Sequence, residues 1–179
     1  MSFLLAACLL APLPAKEQPD YQKEANDAVW KWPEGGASAK ECVKRFAGDC
    51  KVEITTKEMG FFNVELRFLR NDKVRLKIDG HQGTTFVGDR LIVWYAEYGP
   101  ISSGCSLVAY DLEAGKQLWK TNLKGLGPID HTKYRNEVRL DVLPDGTLRV
   151  YGHESAGDYV EYVDGKTGKT VGHKVFARP

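Results

Sequence analysis

The sequence predicts a mainly β fold, an antiparallel meander with short helices at its N-terminal end. From Lys51 onward apolar and polar residues alternate, as in VELRFL and VRLKI, and a period of two gives a strand one apolar face. Pairs of turn-forming residues separate the runs, at Asn71-Asp72, Gly88-Asp89, Asp145-Gly146 and Gly165-Lys166. Such tight turns join antiparallel neighbours, because parallel strands need long crossover connections.

Short runs with β-like character fill the region from residue 51 to residue 176. In chain order they are 51–56, 61–70, 73–78, 84–87, 91–97, 106–111, 117–122, 137–143, 147–153, 159–163 and 170–176. Their lengths are those of ordinary strands in a succession of hairpins.

Two segments before the β region have helical features. Residues 22–32 carry apolar side chains at helical spacing and stop before Pro33, which cannot donate a backbone hydrogen bond inside a helix. Residues 38–46 begin with Ser38 and have Glu41 three positions later, the pattern of a capping box. Together they predict a helical lead-in over residues 22–47.

The first fifteen residues, MSFLLAACLLAPLPA, carry no charge. The run is too short to cross a bilayer of about 30 Å as a helix, but it fits a secretory signal over residues 1–15. Leu5 to Cys8 resembles a lipoprotein box with lipidation at Cys8, and the alternative is cleavage near Ala15. Lipidation at Cys8 and cleavage near Ala15 both predict an extracytoplasmic protein, which would be periplasmic, secreted or an outer-membrane lipoprotein. A further alternative is a buried N-terminal segment of a cytoplasmic protein.

Residues 16–179 are expected to form a single mainly β domain. A chain of 179 residues with 42% hydrophobic and 27% charged residues is long enough for one good core and short for two. The formal net charge is +1, with both signs mixed along the chain. This pattern argues against nucleic acid as a partner. Membrane contact is expected only through a lipid anchor at Cys8.

Three cysteines remain once Cys8 is set aside. A disulfide between Cys42 and Cys50 would close a short loop and suits an oxidising compartment. Cys105 is then free or pairs with one of the other two. The chain has no CxxC pair and no His/Cys spacing of a zinc site, so no metal site is predicted.

The stretch LVAYDLEAGKQLWK carries a recognisable motif, Ala109-x-Asp111-x-x-Ala114-Gly115-x-x-x-Trp119. It resembles the repeat of the PQQ-like (quinoprotein-type) β-propellers, whose blades usually read A-x-D-x-x-T-G-x-x-x-W. Ala114 stands where that family has Thr. The resemblance implies that Asp111 and Gly115 shape the turn between the two outer strands, and that Trp119 packs against a neighbouring blade.

A second, weaker copy reads Tyr162-x-Asp164-x-x-Thr167-Gly168, with Gly172 in place of the tryptophan. Its stretch DGKTGKT also resembles a phosphate-binding loop. The first glycine of such a loop would fall at a valine, and no helical pattern follows, so we interpret the stretch as a hairpin turn.

The resemblance covers residues 84–176 and implies propeller-blade-like sheets. Propellers close with about four to eight blades, and this chain has strands for two blades and a third over residues 51–78. The expected fold is therefore a partial propeller with exposed edges. The alternatives are a ring completed by several chains and a compact sheet that carries the motif.

A binding surface is predicted beside the loop 99–104, which separates two strands. Aromatic and hydroxyl side chains there and on the next hairpin could stack on a sugar or a peptide. They are Trp94, Tyr95, Tyr98, Ser102, Ser103 and Tyr151. The alternative places members such as Trp94 in the core.

We therefore expect a non-catalytic β-repeat protein that acts as a protein-binding or scaffold module, without a cofactor. Another protein, or a second copy, would bind through an exposed sheet edge. The alternative is a cofactor-binding or hydrolytic enzyme with a site near the loop 99–104. Some members of the family it resembles are quinone-dependent dehydrogenases, but those are full rings with a central cofactor.

Overall fold

A computed structural model describes residues 19–31, 50–56, 64–80, 86–89, 91–98, 105–124, 137–154 and 157–176. These residues form three antiparallel sheets and one short helix. The prediction of a mainly β meander of blade-like sheets is confirmed, because each sheet pairs strands that follow one another in the chain.

The first two sheets contain seven strands. Sheet 1 has the order β1 (Cys50–Thr56), β2 (Val64–Arg70) and β3 (Lys73–Gly80). Sheet 2 has the order β4 (Phe86–Asp89), β5 (Ile92–Tyr98), β6 (Cys105–Asp111) and β7 (Lys116–Asn122).

Sheet 3 contains the last four strands. Its order is β8 (Glu137–Val142), β9 (Thr147–Glu154), β10 (Gly157–Asp164) and β11 (Thr170–Phe176). The turn predicted at Gly88-Asp89 is wrong: both residues belong to β4, and Asp89 pairs with Ile92. The chain therefore reverses between Asp89 and Ile92, two residues later than predicted.

A shared irregularity relates the three sheets. In the last hairpin of each sheet the register shifts by one residue, after Phe68, Ala109 and Tyr162 respectively. Such a bulge bends a strand and increases its twist. The sheets therefore repeat one plan, in which β2, β6 and β10 are equivalent strands, as are β3, β7 and β11.

One hydrophobic core runs through all three sheets. Sheet 1 contributes residues such as Phe68, sheet 2 residues such as Val93 and Leu107, and sheet 3 residues such as Leu140 and Tyr159. Sheets 2 and 3 are in contact through β4 and β8, and sheet 1 contacts sheet 2 where the Tyr110 hydroxyl donates to the carbonyl of Arg75 at 2.9 Å. Burial of this shared apolar surface is what holds the sheets together.

Helix α1 (Tyr21–Asp27) packs on β10 and β11, on the face of sheet 3 that points away from sheet 2. Asp20 caps it, because its carboxylate accepts a hydrogen bond from the backbone N–H of Lys23 at 3.0 Å. The helix ends five residues before the predicted Trp32, since Ala28 has extended backbone angles. The predicted second helix, 38–46, lies outside the described residues.

The outer face of sheet 1 is charged. The buried carboxylate of Glu65 on β2 is hydrogen-bonded by Lys77 at 2.7 Å and by Arg67. These two cations lower the pKa of Glu65 from 4.5 to about 2. A charge-paired face of this kind does not favour apolar packing of a further sheet.

Acid titration tests this arrangement. The folded pKa of Glu65 lies below the unfolded one, so its stabilising effect is present above about pH 4.5 and is lost as the pH falls towards 2. We expect a carbon-13 titration of the carboxyl group to show a midpoint near 2, and Glu65→Gln to be destabilising at pH 7 but not at pH 2. The matched control is Glu53→Gln, an exposed carboxylate on β1. A Glu65 midpoint above 4 contradicts the ion pairs.

Candidate functional site

The first motif copy forms the turn between β6 and β7. The Asp111 carboxylate accepts hydrogen bonds from the backbone N–H groups of Glu113 and Ala114, at 2.8 and 2.9 Å. Gly115 donates its N–H to the Asp111 carbonyl at 2.9 Å and has a φ of +66°, which favours glycine. Asp111 and Gly115 thus have the turn-forming roles that the motif implies.

The second copy builds the same turn between β10 and β11. The Asp164 carboxylate accepts from the backbone N–H groups of Lys166 and Thr167 and from the Thr167 hydroxyl, at 2.8 to 3.0 Å. Burial alone would raise the pKa of Asp164, but these hydrogen bonds lower it below its ordinary value. Gly168 donates to the Asp164 carbonyl at 2.8 Å. The backbone amides that a phosphate loop would direct at its ligand are therefore used within the turn.

Two tryptophans of sheet 2 converge on this second turn. Trp94 on β5 and Trp119 on β7 each donate an indole N–H to the carbonyl oxygen of Gly165, both at 3.2 Å. A methyl group at Gly168 would lie 2.7 Å from the Trp119 ring. Trp119 thus packs against the neighbouring sheet, as the motif implies, and Trp94 lies in the core at 7% exposure.

The two motif copies differ at the position of the tryptophan, and the structure explains why. Ala109 pairs with Trp119 on sheet 2, whereas Tyr162 pairs with Gly172 on sheet 3. The large residue of the pair therefore lies on β7 in sheet 2 but on β10 in sheet 3. A methyl group at Gly172 would overlap the backbone carbonyl of Tyr21. Helix α1 therefore occupies the space beside sheet 3 that Trp119 fills beside sheet 2.

Aromatic contacts and a partly buried hydrogen bond hold α1 on the sheet. The rings of Tyr21 and Tyr162 stack with centroids 4.9 Å apart. The Tyr21 hydroxyl donates to the carboxylate of Asp145, in the turn before β9, at 2.6 Å. Burial and this hydrogen bond raise the pKa of Tyr21.

Polar groups also join α1 to β11. The side-chain amide of Gln22 donates to the carbonyl of His173 at 3.1 Å and accepts from its N–H at 3.3 Å. The Lys174 ammonium donates to the carbonyls of Asn26 and Ala28, at 2.7 and 2.8 Å. The cation thus satisfies carbonyl groups at the C-terminal end of the helix.

The chain that leaves α1 completes a half-exposed aromatic patch, which we define as Val29, Trp30, Arg149, Tyr151 and Phe176. Trp30 lies edge-on to Tyr151, with ring centroids 6.4 Å apart, and 5.3 Å from Phe176. The Arg149 guanidinium lies 5.3 Å above the Tyr151 ring, within the range of a cation–π contact. Val29 is 89% exposed. The patch therefore combines fixed aromatic rings with a cation and a solvent-facing apolar side chain.

Among the predicted binding residues, the structure describes the side chains of Trp94, Tyr95 and Tyr151, and these three do not lie together. Trp94 lies in the main core, and Tyr95 is partly buried at the margin of that core. Tyr151 lies on the opposite face of sheet 3, in the aromatic patch. The remaining predictions fall on residues or side chains outside the described part: Cys8, Cys42, Cys50, Tyr98, Ser102, Ser103 and the loop 99–104.

Four residues of the patch were missed as binding candidates: Val29, Trp30, Arg149 and Phe176. The alternation on β9 was a usable signal for Arg149, because it places Arg149 on the same face as Tyr151 and opposite to Leu148 and Val150. Trp30 had no such signal, since a helix that continued to Trp32 would have given its side chain another direction.

The buried carboxylate of Glu161 on β10 belongs to the framework. It accepts from the backbone N–H of Lys124, just beyond β7, at 2.7 Å and from the Thr170 hydroxyl at 2.6 Å. Glu161 thus joins the end of sheet 2 to sheet 3, as expected of a buried acid with hydrogen-bond partners.

The described residues contain no cluster of three His, Cys, Asp or Glu side chains that could hold a metal ion. Within the same residues, no helix has the length and apolar character needed to span a membrane. No model of a known protein family matches the chain, and no curated protein matches it.

Proposed function

We propose that the chain is an extracytoplasmic, non-catalytic β-repeat protein of the PQQ-like type that binds another protein and acts as a scaffold module. The observation that carries the proposal is the aromatic patch, in which three aromatic residues and an arginine meet at the surface of sheet 3. Trp, Tyr and Arg are the residues most enriched in the energetic centres of protein interfaces.

The side chains of the patch are held in place before a partner arrives. Trp30 packs on Tyr151 and Phe176, and Arg149 is also joined to Asp141 at 3.2 Å. Binding then costs little side-chain entropy. The underlying strand β10 is buried along almost its whole length, so the platform is rigid.

The motif copies support the assignment to the repeat family. Both copies place an Asp carboxylate over the backbone N–H groups of its own turn and end that turn with a glycine at positive φ. Trp119 reaches the next sheet. These are the roles that the motif implies for a blade.

Sheet edges provide a second route to association. Strand β7 is the outer strand of sheet 2, and most of its residues are exposed, including Leu118 at 43%. An extended segment of a partner, or of a second copy, can add to such an edge through main-chain hydrogen bonds.

Lipid attachment at Cys8 is the proposed contact with the membrane.

Peptide selection tests the patch directly. A phage-displayed library is selected on the immobilised full chain, and the enriched peptides are measured against variants. We expect Trp30→Ala and Tyr151→Ala each to weaken binding at least about tenfold, which is 1.4 kcal/mol.

The control is Val74→Ala on β3 of sheet 1, where an apolar side chain is 51% exposed away from the patch. It should leave binding unchanged. Peptides that bind both patch variants as well as the wild type, while each variant keeps its fold, would overturn the proposed site.

A further inference from the structure

The side chain of Gln22 occupies the outer edge of sheet 3 and makes the hydrogen bonds that a further strand would make there. In an antiparallel pair, a hydrogen-bonded residue donates its N–H and offers its C=O to the same partner residue. The amide of Gln22 does both for His173, at 3.3 and 3.1 Å. The N–H and C=O of His173 therefore point outward from the edge strand β11, where a further strand would pair.

Strand β11 has a free edge on the side that Gln22 occupies. Strand β11 pairs with β10 on one side only, and it is the terminal strand of sheet 3. Helix α1 covers the other side, and the Lys174 ammonium binds its last carbonyl groups. Covering an edge with a helix is one way in which proteins prevent edge-to-edge pairing.

We propose that α1 covers the β11 edge and prevents strand pairing there. When α1 detaches from the edge, β11 can pair antiparallel with β11 of a second copy. A two-fold axis at His173 makes His173 the hydrogen-bonded pair at the centre. Gly172 then lies opposite Lys174 of the other copy, so the two lysines do not face each other. Val175, 44% exposed, lies opposite Val171, a pair of β-branched residues that suits neighbouring strands.

Helix α1 can detach from β11 without unfolding sheet 3. A helix of seven residues has little stability of its own and forms through its packing. The opposite face of sheet 3 belongs to the main core, through residues such as Leu140, Val150 and Tyr159. This inference concerns the β11 edge, and release of α1 also frees Trp30, which follows the helix and packs on Tyr151 and Phe176 of the aromatic patch.

The test uses the full chain with Tyr21→Ala and Gln22→Ala combined, which removes the aromatic anchor and the strand-imitating amide. Light scattering at about 50 µM should show the wild type near its monomer mass of 20.0 kDa and the double variant near twice that mass. A folded double variant that stays monomeric overturns the proposal and says nothing about peptide binding at the patch.

A third substitution separates edge pairing from association through the uncovered apolar face. His173→Pro removes the outward N–H, and proline is tolerated on the free side of an edge strand. Added to the double variant, it should restore the monomer. If the proline variant does not fold, Val175→Lys serves instead, because it places charge along the same edge. A dimer that persists with either substitution forms through another surface and overturns the proposal.

Discussion

Replacing Trp94 with alanine is expected to lower the free energy of unfolding by about 4 kcal/mol, which a denaturant titration will measure. Trp94 is 7% exposed and lies within the core that the sheets share. Its truncation leaves a cavity against sheet 3 and removes a hydrogen bond to Gly165. Trp119→Ala should cost less, about 2 to 3 kcal/mol, since its ring is only half-buried.

The shared acceptor predicts a specific coupling between the two tryptophans. Both indole N–H groups donate to the same carbonyl oxygen, that of Gly165. This carbonyl therefore keeps a hydrogen-bond donor when either tryptophan is replaced. Trp→Phe at both positions should therefore cost more than the sum of the two single changes, by about 0.5 to 1 kcal/mol.

Leu118→Ala is the matched control for Trp119, because its side chain is the exposed neighbour on β7. We expect it to cost under about 0.5 kcal/mol. Equal losses for Leu118→Ala and Trp119→Ala would mean that Trp119 does not anchor sheet 2 on sheet 3.

Gly152→Ala is expected to destabilise the protein by about 3 kcal/mol or more. Gly152 on β9 pairs with Tyr159 on β10, and a methyl group at position 152 would overlap the Tyr159 ring. That ring is fully buried, so it has no room to move aside. Thermal and denaturant unfolding will measure the loss.

A second-site change shows whether the overlap is the cause. Tyr159→Leu alone leaves a cavity and is destabilising, but combined with Gly152→Ala it should cost less than the sum. Gly146→Ala is the control, because nothing lies within 4 Å of its Cβ position. Because Gly146 has a φ of +87°, alanine at this position should lower the free energy of unfolding by a conformational cost of about 1 to 2 kcal/mol, with no steric overlap added. Additive losses at positions 152 and 159 contradict the overlap.

The strands could be predicted because their signals are local. Alternation and turn residues act over a few positions, and each predicted β-like run corresponds to a strand, with ends that differ by at most a few residues. The turn at Gly88-Asp89 failed for the same reason: glycine and aspartate favour turns, but pairing of Asp89 with Ile92 extended β4 through both.

The candidate site depended on contacts that cross the chain. Tyr21 binds Asp145 across 124 positions, and no local pattern announces such a pair. Trp30 could join Tyr151 only because α1 ends at Asp27. Of the three predicted binding residues whose side chains the structure describes, Trp94, Tyr95 and Tyr151, only Tyr151 lies in the patch.

The sequence by itself determined that the chain is an antiparallel β meander and where its motif turns lie, because backbone preference and side-chain period are properties of neighbouring residues. Tertiary structure alone decided that Trp94 is buried by Gly165, 71 positions away, and that Gly172 makes room for α1 rather than marking a decayed motif. Burial depends on which surfaces meet in space, and those surfaces come from distant parts of the chain.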